Sequence, residues 1–120
     1  MLCKVDLILS VKLSFNEDTK RNDSSVADLR LDLMLVPQAT LGGKLKGKAL
    51  QYHANIGKQE GAELYHALVM AIRQTTQGNG TGGSEHQSSG NIGKVVCGTF
   101  GNQQVLEMSS LGPYTHYFEI

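Results

Sequence analysis

Tryptophan is absent from this chain, and aromatic residues make up only 6% of it. Any core must therefore be built from Leu, Val and Ile, with little help from large rings. Cysteine is scarce as well. Cys3 and Cys97 stand far apart and form no CxxC pair, so the sequence supports neither a disulfide framework nor a thiolate metal site. Two free thiols are expected. Charge of either sign is not in excess: eleven basic and eleven acidic side chains cancel. Global charge thus argues neither for nor against a nucleic-acid partner, and only local clusters can speak. No apolar run approaches the ~20 residues that a membrane span needs. Lys4 and Asp6 interrupt the opening MLCKVDLILSV, and no small-residue cleavage pattern follows it. A cytoplasmic protein with no membrane partner is expected.

What is present fits one small domain covering residues 1–120, 40% hydrophobic, with a modest core. Residues 2–10 read as a helix end or a strand, too short for periodicity to decide. Residues 16–25 are rich in Asn, Asp, Ser, Lys and Arg and read as a loop. Leu29, Leu31, Leu33 and Leu35 then alternate with Arg30, Asp32, Met34 and Val36, a period of two that predicts a strand. Pro37 ends it by removing a ladder donor. Residues 41–55 carry Gly42, Gly43 and Gly47 among Lys44, Lys46 and Lys48, as in an exposed loop or ribbon. A helix is predicted over residues 58–74, with Ala62, Tyr65, Leu68, Val69 and Ile72 on one face and Asn55 or Gly57 at its start.

Residues 75–93 are Gly, Ser, Thr, Gln and Asn with almost nothing apolar, and a flexible loop within the domain is expected there. Three strand-like runs follow, at 94–100, 103–108 and 114–120. Gly101 and Asn102 are a tight hairpin signal between the first two. Gly112 and Pro113 break the second from the third.

Side-chain catalysts are not evident. His53, His66, His86 and His116 accompany no GxSxG elbow and no HExxH motif. His66 is expected to face solvent and His86 to lie in the loop. His53 and His116 are the two worth following, although each reads more simply as a surface or packed residue than as a general base. No metal site is expected from such spacing, and no cofactor. The stretch LGGKLKGK lacks the GxxxxGK[ST] spacing of a P-loop, and no helix follows it directly. Between Leu41 and Lys58 there are four lysines and no acid. That cluster is either a solvated turn or a phosphate-contact patch.

Two blocks carry a family resemblance. VPQATLGGKLKGKALQYHANIGKQEGAELY, residues 36–65, and GTFGNQQVLEMSSLGPYTHYFEI, residues 98–120, together resemble the D-aminoacyl-tRNA deacylases, specifically their animal-type branch. PQATL is the counterpart of the SQxTL block of the bacterial-type enzymes, and GPYTH of their GPxT block. The likeness is good over roughly the last two-thirds of the chain and weaker over residues 2–15.

The resemblance implies an α/β layered fold with mixed β-sheets and helices, usually as a homodimer. It implies hydrolysis of the ester joining an amino acid to the terminal adenosine of tRNA. Aminoacyl-tRNA is then the partner, and the mischarged D-aminoacyl and L-alanyl-tRNA(Thr) forms are the substrates. Backbone groups shape the pocket, and the tRNA's own 2′-hydroxyl helps activate water. Residue by residue, the motif places Pro37, Gln38, Ala39, Thr40 and Leu41 around the aminoacyl-adenosine, with Gln38, Ala39 and Thr40 nearest the chemistry. Gly112 and Pro113 become a chirality gate, with a trans peptide bond, that reaches into the partner's pocket. Without the resemblance they would read as a plain turn. Lys44, Lys46 and Lys48 become candidates for tRNA phosphates.

Two departures stand out. Leu111 precedes Gly112 where the family usually has Asn. The family also has a strand pair and much of a helix ahead of the part that matches Leu2, so the fold is expected to be incomplete at the N-terminus. Two other readings stay open: a catalytically inactive fragment acting as an RNA-binding or dimerisation remnant, and a small phosphate-binding domain using the lysine loop.

Overall fold

A computed structural model of the chain describes residues 2–77, 92–112 and 114–119. Its first element is a helix, α1 (Leu2–Ser10), which settles the ambiguity of that run. Val5 and Leu9 lie one turn apart, so both face inward and both are buried. The polar stretch after it is a short hairpin and not a loop. Strands β1 (Ser14–Asn16) and β2 (Arg21–Ser24) pair antiparallel. Polar residues suffice because Asn16 supplies the turn. Its Oδ1 accepts the Asp18 N–H at 2.9 Å, its backbone carbonyl accepts the Lys20 N–H at 2.8 Å, and its amide donates to Ser24 Oγ at 3.0 Å.

The alternating run 29–36 forms a much shorter strand than expected, β3 (Leu33–Leu35). Its first half is taken up by a turn. The Asp28 N–H donates to Ser25 Oγ and the Ser25 N–H donates back to the Asp28 carboxylate, at 3.1 and 2.8 Å. Arg30 closes the turn at φ 51°. Lys12 also bonds the Asp28 carboxylate. That bond first, then the Ser25 N–H, holds the Asp28 carboxyl down at about 2.

Of the loop and the ribbon that the sequence left open, the ribbon forms: strands β4 (Lys44–Lys46) and β5 (Ala49–Gln51) pair with Lys44 opposite Gln51 and Leu45 opposite Leu50. Gly47, at φ 64°, makes the two-residue turn. Because side chains alternate, one face carries Lys44 and Lys46 and the other carries Leu45 and Leu50.

Helix α2 (Lys58–Gln77) runs three residues further than its predicted end. Val69 and Ile72 of the expected face are buried, as are Ala71 and Thr76. After it comes β6 (Val95–Cys97), parallel to β3 with Leu33 opposite Val95 and Leu35 opposite Cys97. The crossover between the two parallel strands thus contains the ribbon and α2. The core lies where α1, α2 and this strand pair meet: Val5, Leu9, Ala71, Ile72 and Ile92, flanked by Leu33, Leu35, Leu68 and Val95.

Three further expectations need correction. The loop foreseen over 75–93 does not extend to either end of that stretch. Thr75 and Thr76 are helical, with hydroxyls bonded to the carbonyls of Ala71 and Arg73. Ile92 is in the core, and the Gly93 N–H bonds the Leu31 carbonyl at 2.9 Å. The remainder of that stretch, with His86, lies outside the described residues. Only Val95–Cys97 of the run 94–100 is a strand. The runs 103–108 and 114–119 form no strand and are exposed along their length. A strand exists only where an edge pairs with it, and among the described residues these segments meet none. Among the described residues no helix is long and apolar enough to cross a membrane.

Candidate active site

Beyond Leu35 and Gly98 the two parallel strands separate. The Gly98 N–H donates to the Leu35 carbonyl at 2.7 Å, the last rung of the ladder. Two residues later Pro37 has no N–H to continue it. On the other strand the Thr99 N–H turns to the Gln104 side-chain carbonyl at 2.7 Å. Space beside Gly98 is tight at this fork. A Cβ there would lie 2.9 Å from Gln104 Oε1 and 3.1 Å from Pro37 Cδ.

The diverging strands and the N-terminal half of α2 enclose a cleft of about 770 Å³. That volume suits a small-molecule-sized group. Pro37, Gln38 and Ala39 form one wall, and Phe100, Gly101, Asn102 and Gln103 form the opposite one. Ile56, Leu64, Tyr65 and Leu68 line it from the helix side.

Gln38 leads into a 3-10 turn, Ala39–Gly42. Its side chain makes no cap bond to the turn. The first N–H groups of a helical turn have no partner within it, so those of Ala39 and Thr40 remain available as donors. Asn55 fixes this wall from the far side of the ribbon by donating its amide to the Ala39 carbonyl at 2.9 Å. Asn55 is therefore a tether, and its side chain does not cap α2.

Tyr65 stands at the fork. Its hydroxyl lies 2.7 Å from the Gly98 carbonyl and 3.1 Å from the Leu35 carbonyl. Burial, followed by the charge of Cys97, pushes its pKa up, which keeps the hydroxyl a donor. Its ring centroid is 6.0 Å from that of Phe100, tilted by 34°.

The candidate site residues are thus brought together only in part. Pro37, Gln38 and Ala39 share the cleft, while Thr40 and Leu41 follow them along the 3-10 turn without lining it. Leu41 is 85% exposed. Lys44, Lys46 and Lys48 are exposed on the ribbon, away from the cleft lining. Gly112, at φ 147°, is not among the lining residues, and a Cβ built on it meets nothing within 4 Å. Pro113 lies outside the described residues. His53, His66 and His116 are exposed and line no part of the cleft.

Sequence reasoning missed the parts that hold the cleft together: Tyr65, which was assigned to the helix's packed face, and Asn55, Gly98 and Phe100. Among the described lining residues there is no Ser, Thr, Cys, His, Asp or Glu. The described residues also contain no group of three side chains able to hold a metal ion. The described cleft thus offers amides, carbonyls, one lysine, Lys58, the ring and hydroxyl of Tyr65, and an apolar wall.

Comparison with known proteins is consistent across sequence and structure. The model of the D-Tyr-tRNA(Tyr) deacylase family matches residues 3–119. The chain is 44% identical over 115 residues to D-aminoacyl-tRNA deacylase 2 of Gallus gallus, covering 96% of this chain and 64% of that protein. It is 42% identical over 117 residues to D-aminoacyl-tRNA deacylase 2 of Homo sapiens, with the same coverage. The chain therefore spans a little under two-thirds of the length of these relatives. A solved structure of a probable eukaryotic D-amino acid tRNA deacylase superposes with a TM-score of 0.76 at 29% identity, over 99% of this chain and 73% of that one. The α/β fold is thus shared with that structure.

Proposed function

This chain belongs to the D-Tyr-tRNA(Tyr) deacylase family, and on that premise we propose that it is an esterase acting on mischarged aminoacyl-tRNA. Its substrates are D-aminoacyl-tRNA and L-alanyl-tRNA(Thr), and the activity is one of translation proofreading in the cytoplasm. The observation that carries this reading is the chemistry of the cleft. Its described lining has no Ser, Thr or Cys and no carboxylate or imidazole base, with Lys58 and Tyr65 its only ionisable side chains, and the 3-10 turn that starts beside Gln38 leaves its first N–H groups, those of Ala39 and Thr40, without partners inside the turn.

An aminoacyl ester is already activated, so hydrolysis needs placement and charge stabilisation more than a strong nucleophile. The carbonyl oxygen of the ester takes the Ala39 and Thr40 amides, and negative charge grows on it as water adds. The terminal 2′-hydroxyl of the tRNA orients that water. Pro37 and Gln38 shape the entrance, and the family resemblance adds Leu41 and the Thr40 hydroxyl, which stand outside the described lining.

Two further parts of the reading follow from the same resemblance. Gly112 and Pro113 act as a gate in a neighbouring copy's cleft, in a homodimer. The open surroundings of Gly112 and its absence from the cleft lining of its own chain leave room for donation to a second copy. Lys44 and Lys46, on one face of the ribbon with Lys48 beside the turn, meet tRNA phosphates.

The test is hydrolysis by the purified chain of D-aminoacyl-tRNA beside the L-aminoacyl form of the same tRNA. Release of the D-amino acid well above the spontaneous rate, with the correctly charged L-ester spared, is expected. Retention of both esters, by a chain that still binds tRNA, would favour the RNA-binding remnant instead.

A further inference from the structure

The hydroxyl of Tyr65 occupies the one place where the two cleft walls are still a single sheet. One wall begins two residues after Leu35 and the other two residues after Gly98, and these are the two residues whose carbonyls the hydroxyl meets, at 3.1 and 2.7 Å. A hydroxyl has one hydrogen to give. The Leu35 carbonyl already accepts the Gly98 N–H at 2.7 Å, so the stronger claim on that hydrogen is the Gly98 carbonyl, the nearer of the two. The bond joins α2 to Gly98, the residue after β6, across 33 residues of sequence. The same ring leans on Phe100 in the second wall. Tyr65 thus touches the sheet below the fork and the wall above it.

We propose that Tyr65 is a positioning residue: its hydroxyl, bonded to the Gly98 carbonyl, and its ring, against Phe100, hold the second wall to α2 and so set its spacing from the Gln38 wall. Nothing else among the described bonds joins α2 to the Gly98 carbonyl. Without it the ladder's final rung carries the fork alone, with a proline two residues beyond it on one side. The inference rests on the esterase reading for its effect on rate, because an ester misplaced by an ångström between two walls reacts far more slowly. It does not need that reading for its effect on the fork.

Tyr65→Phe keeps the ring and removes the hydroxyl. Two readouts separate the possibilities. The first is amide exchange at Gly98 under native conditions, relative to amides in the middle of α2. It is expected to quicken about tenfold or more in Tyr65→Phe, while the α2 amides hold. The second is hydrolysis per folded molecule, with Ile72→Val as a variant that loses stability without touching the fork. Tyr65→Phe is expected to lower kcat by roughly 10- to 100-fold with KM within about twofold, and Ile72→Val to leave both unchanged.

Unchanged exchange at Gly98 overturns the proposal whatever the activity. Quickened exchange with unchanged kcat overturns it too, because the fork then does not govern the ester. If the unmodified chain hydrolyses nothing while Tyr65→Phe still frees Gly98, the esterase reading fails and the clasp on the cleft walls stands.

Discussion

The body of the molecule and the segment after Gly101 are similarly rich in apolar residues and fare very differently. In the body, Val5, Leu9, Ile72 and Ile92 converge from α1, α2 and the approach to β6 and are almost wholly withdrawn from water. In the later segment, Val105 is 90% exposed, Met108 77% and Tyr117 83%. Apolar content therefore does not decide burial here. An amphipathic helix satisfies its own backbone and needs only a surface to lie on. A strand must find an edge for its N–H and C=O groups before its side chains can be buried. The β4–β5 ribbon is intermediate: its backbone is paired, yet Leu45 and Leu50 on one face and Lys44 and Lys46 on the other all remain exposed.

The sharpest way to break this contrast is to cut the same kind of side chain in each region. Ile72 is fully buried, so Ile72→Ala is expected to cost about 2–5 kcal/mol of stability in denaturant unfolding, through lost transfer energy and the cavity left behind. Val105→Ala is expected to fall within about ±0.5 kcal/mol. Equal losses at the two sites would mean that the segment after Gly101 is packed in solution.

The ribbon offers a second, smaller effect, on binding instead of stability. Replacing Lys44, Lys46 and Lys48 together by Gln is expected to flatten the dependence of log K for tRNA on log salt by about two to three units. Unfolding should be almost unaffected, since all three are exposed. An unchanged salt slope would return these lysines to a merely solvated turn.

The smallest effect is expected at Asp28. Its folded carboxyl titrates at about 2, lowered by Lys12 and the Ser25 N–H, against roughly 3.9 in an unfolded chain. A group whose folded value is depressed stabilises fully above the unfolded value and loses that contribution as pH falls towards the folded one. The stability difference between the unmodified chain and Asp28→Asn should therefore be present at pH 6 and close between about pH 4 and pH 2. Because the pair is exposed, the difference should be small throughout. A difference that grows on acidification would contradict the bonding described for the turn.

Much of the body was legible in the sequence. The inward face of α2 followed from the 3.6 period. A ribbon was one of the two readings that Gly47 and the spaced lysines allowed, and Pro37, Gln38 and Ala39 were singled out as site residues by the family resemblance alone. What escaped depended on partners distant in sequence or on polar side chains acting locally. The run 29–36 carried a strand period, but the Ser25–Asp28 exchange of hydrogen bonds takes its first half into a turn. The run 16–25 looked too polar to pair, yet Asn16 alone organises the hairpin. Gly101 and Asn102 signal a hairpin whose second strand, 103–108, does not form. Tyr65 counted as one more residue on a packed face, because the carbonyls it meets lie 30 and 33 residues away. Distance in the chain hides such a bond from any local pattern.

The account stands on an ester being cleaved in a cleft that lends amides, with the substrate's own hydroxyl orienting water. The most direct measurement is single-turnover hydrolysis by the unmodified chain of two D-aminoacyl-tRNAs, alike except that one ends in adenosine and the other in 2′-deoxyadenosine. The account predicts hydrolysis of the first and a rate at least about 100-fold lower for the second, a loss of the size seen when a general acid or base is removed, with tRNA affinity retained. Equal rates for the two would contradict it, because some group of the protein would then be activating the water.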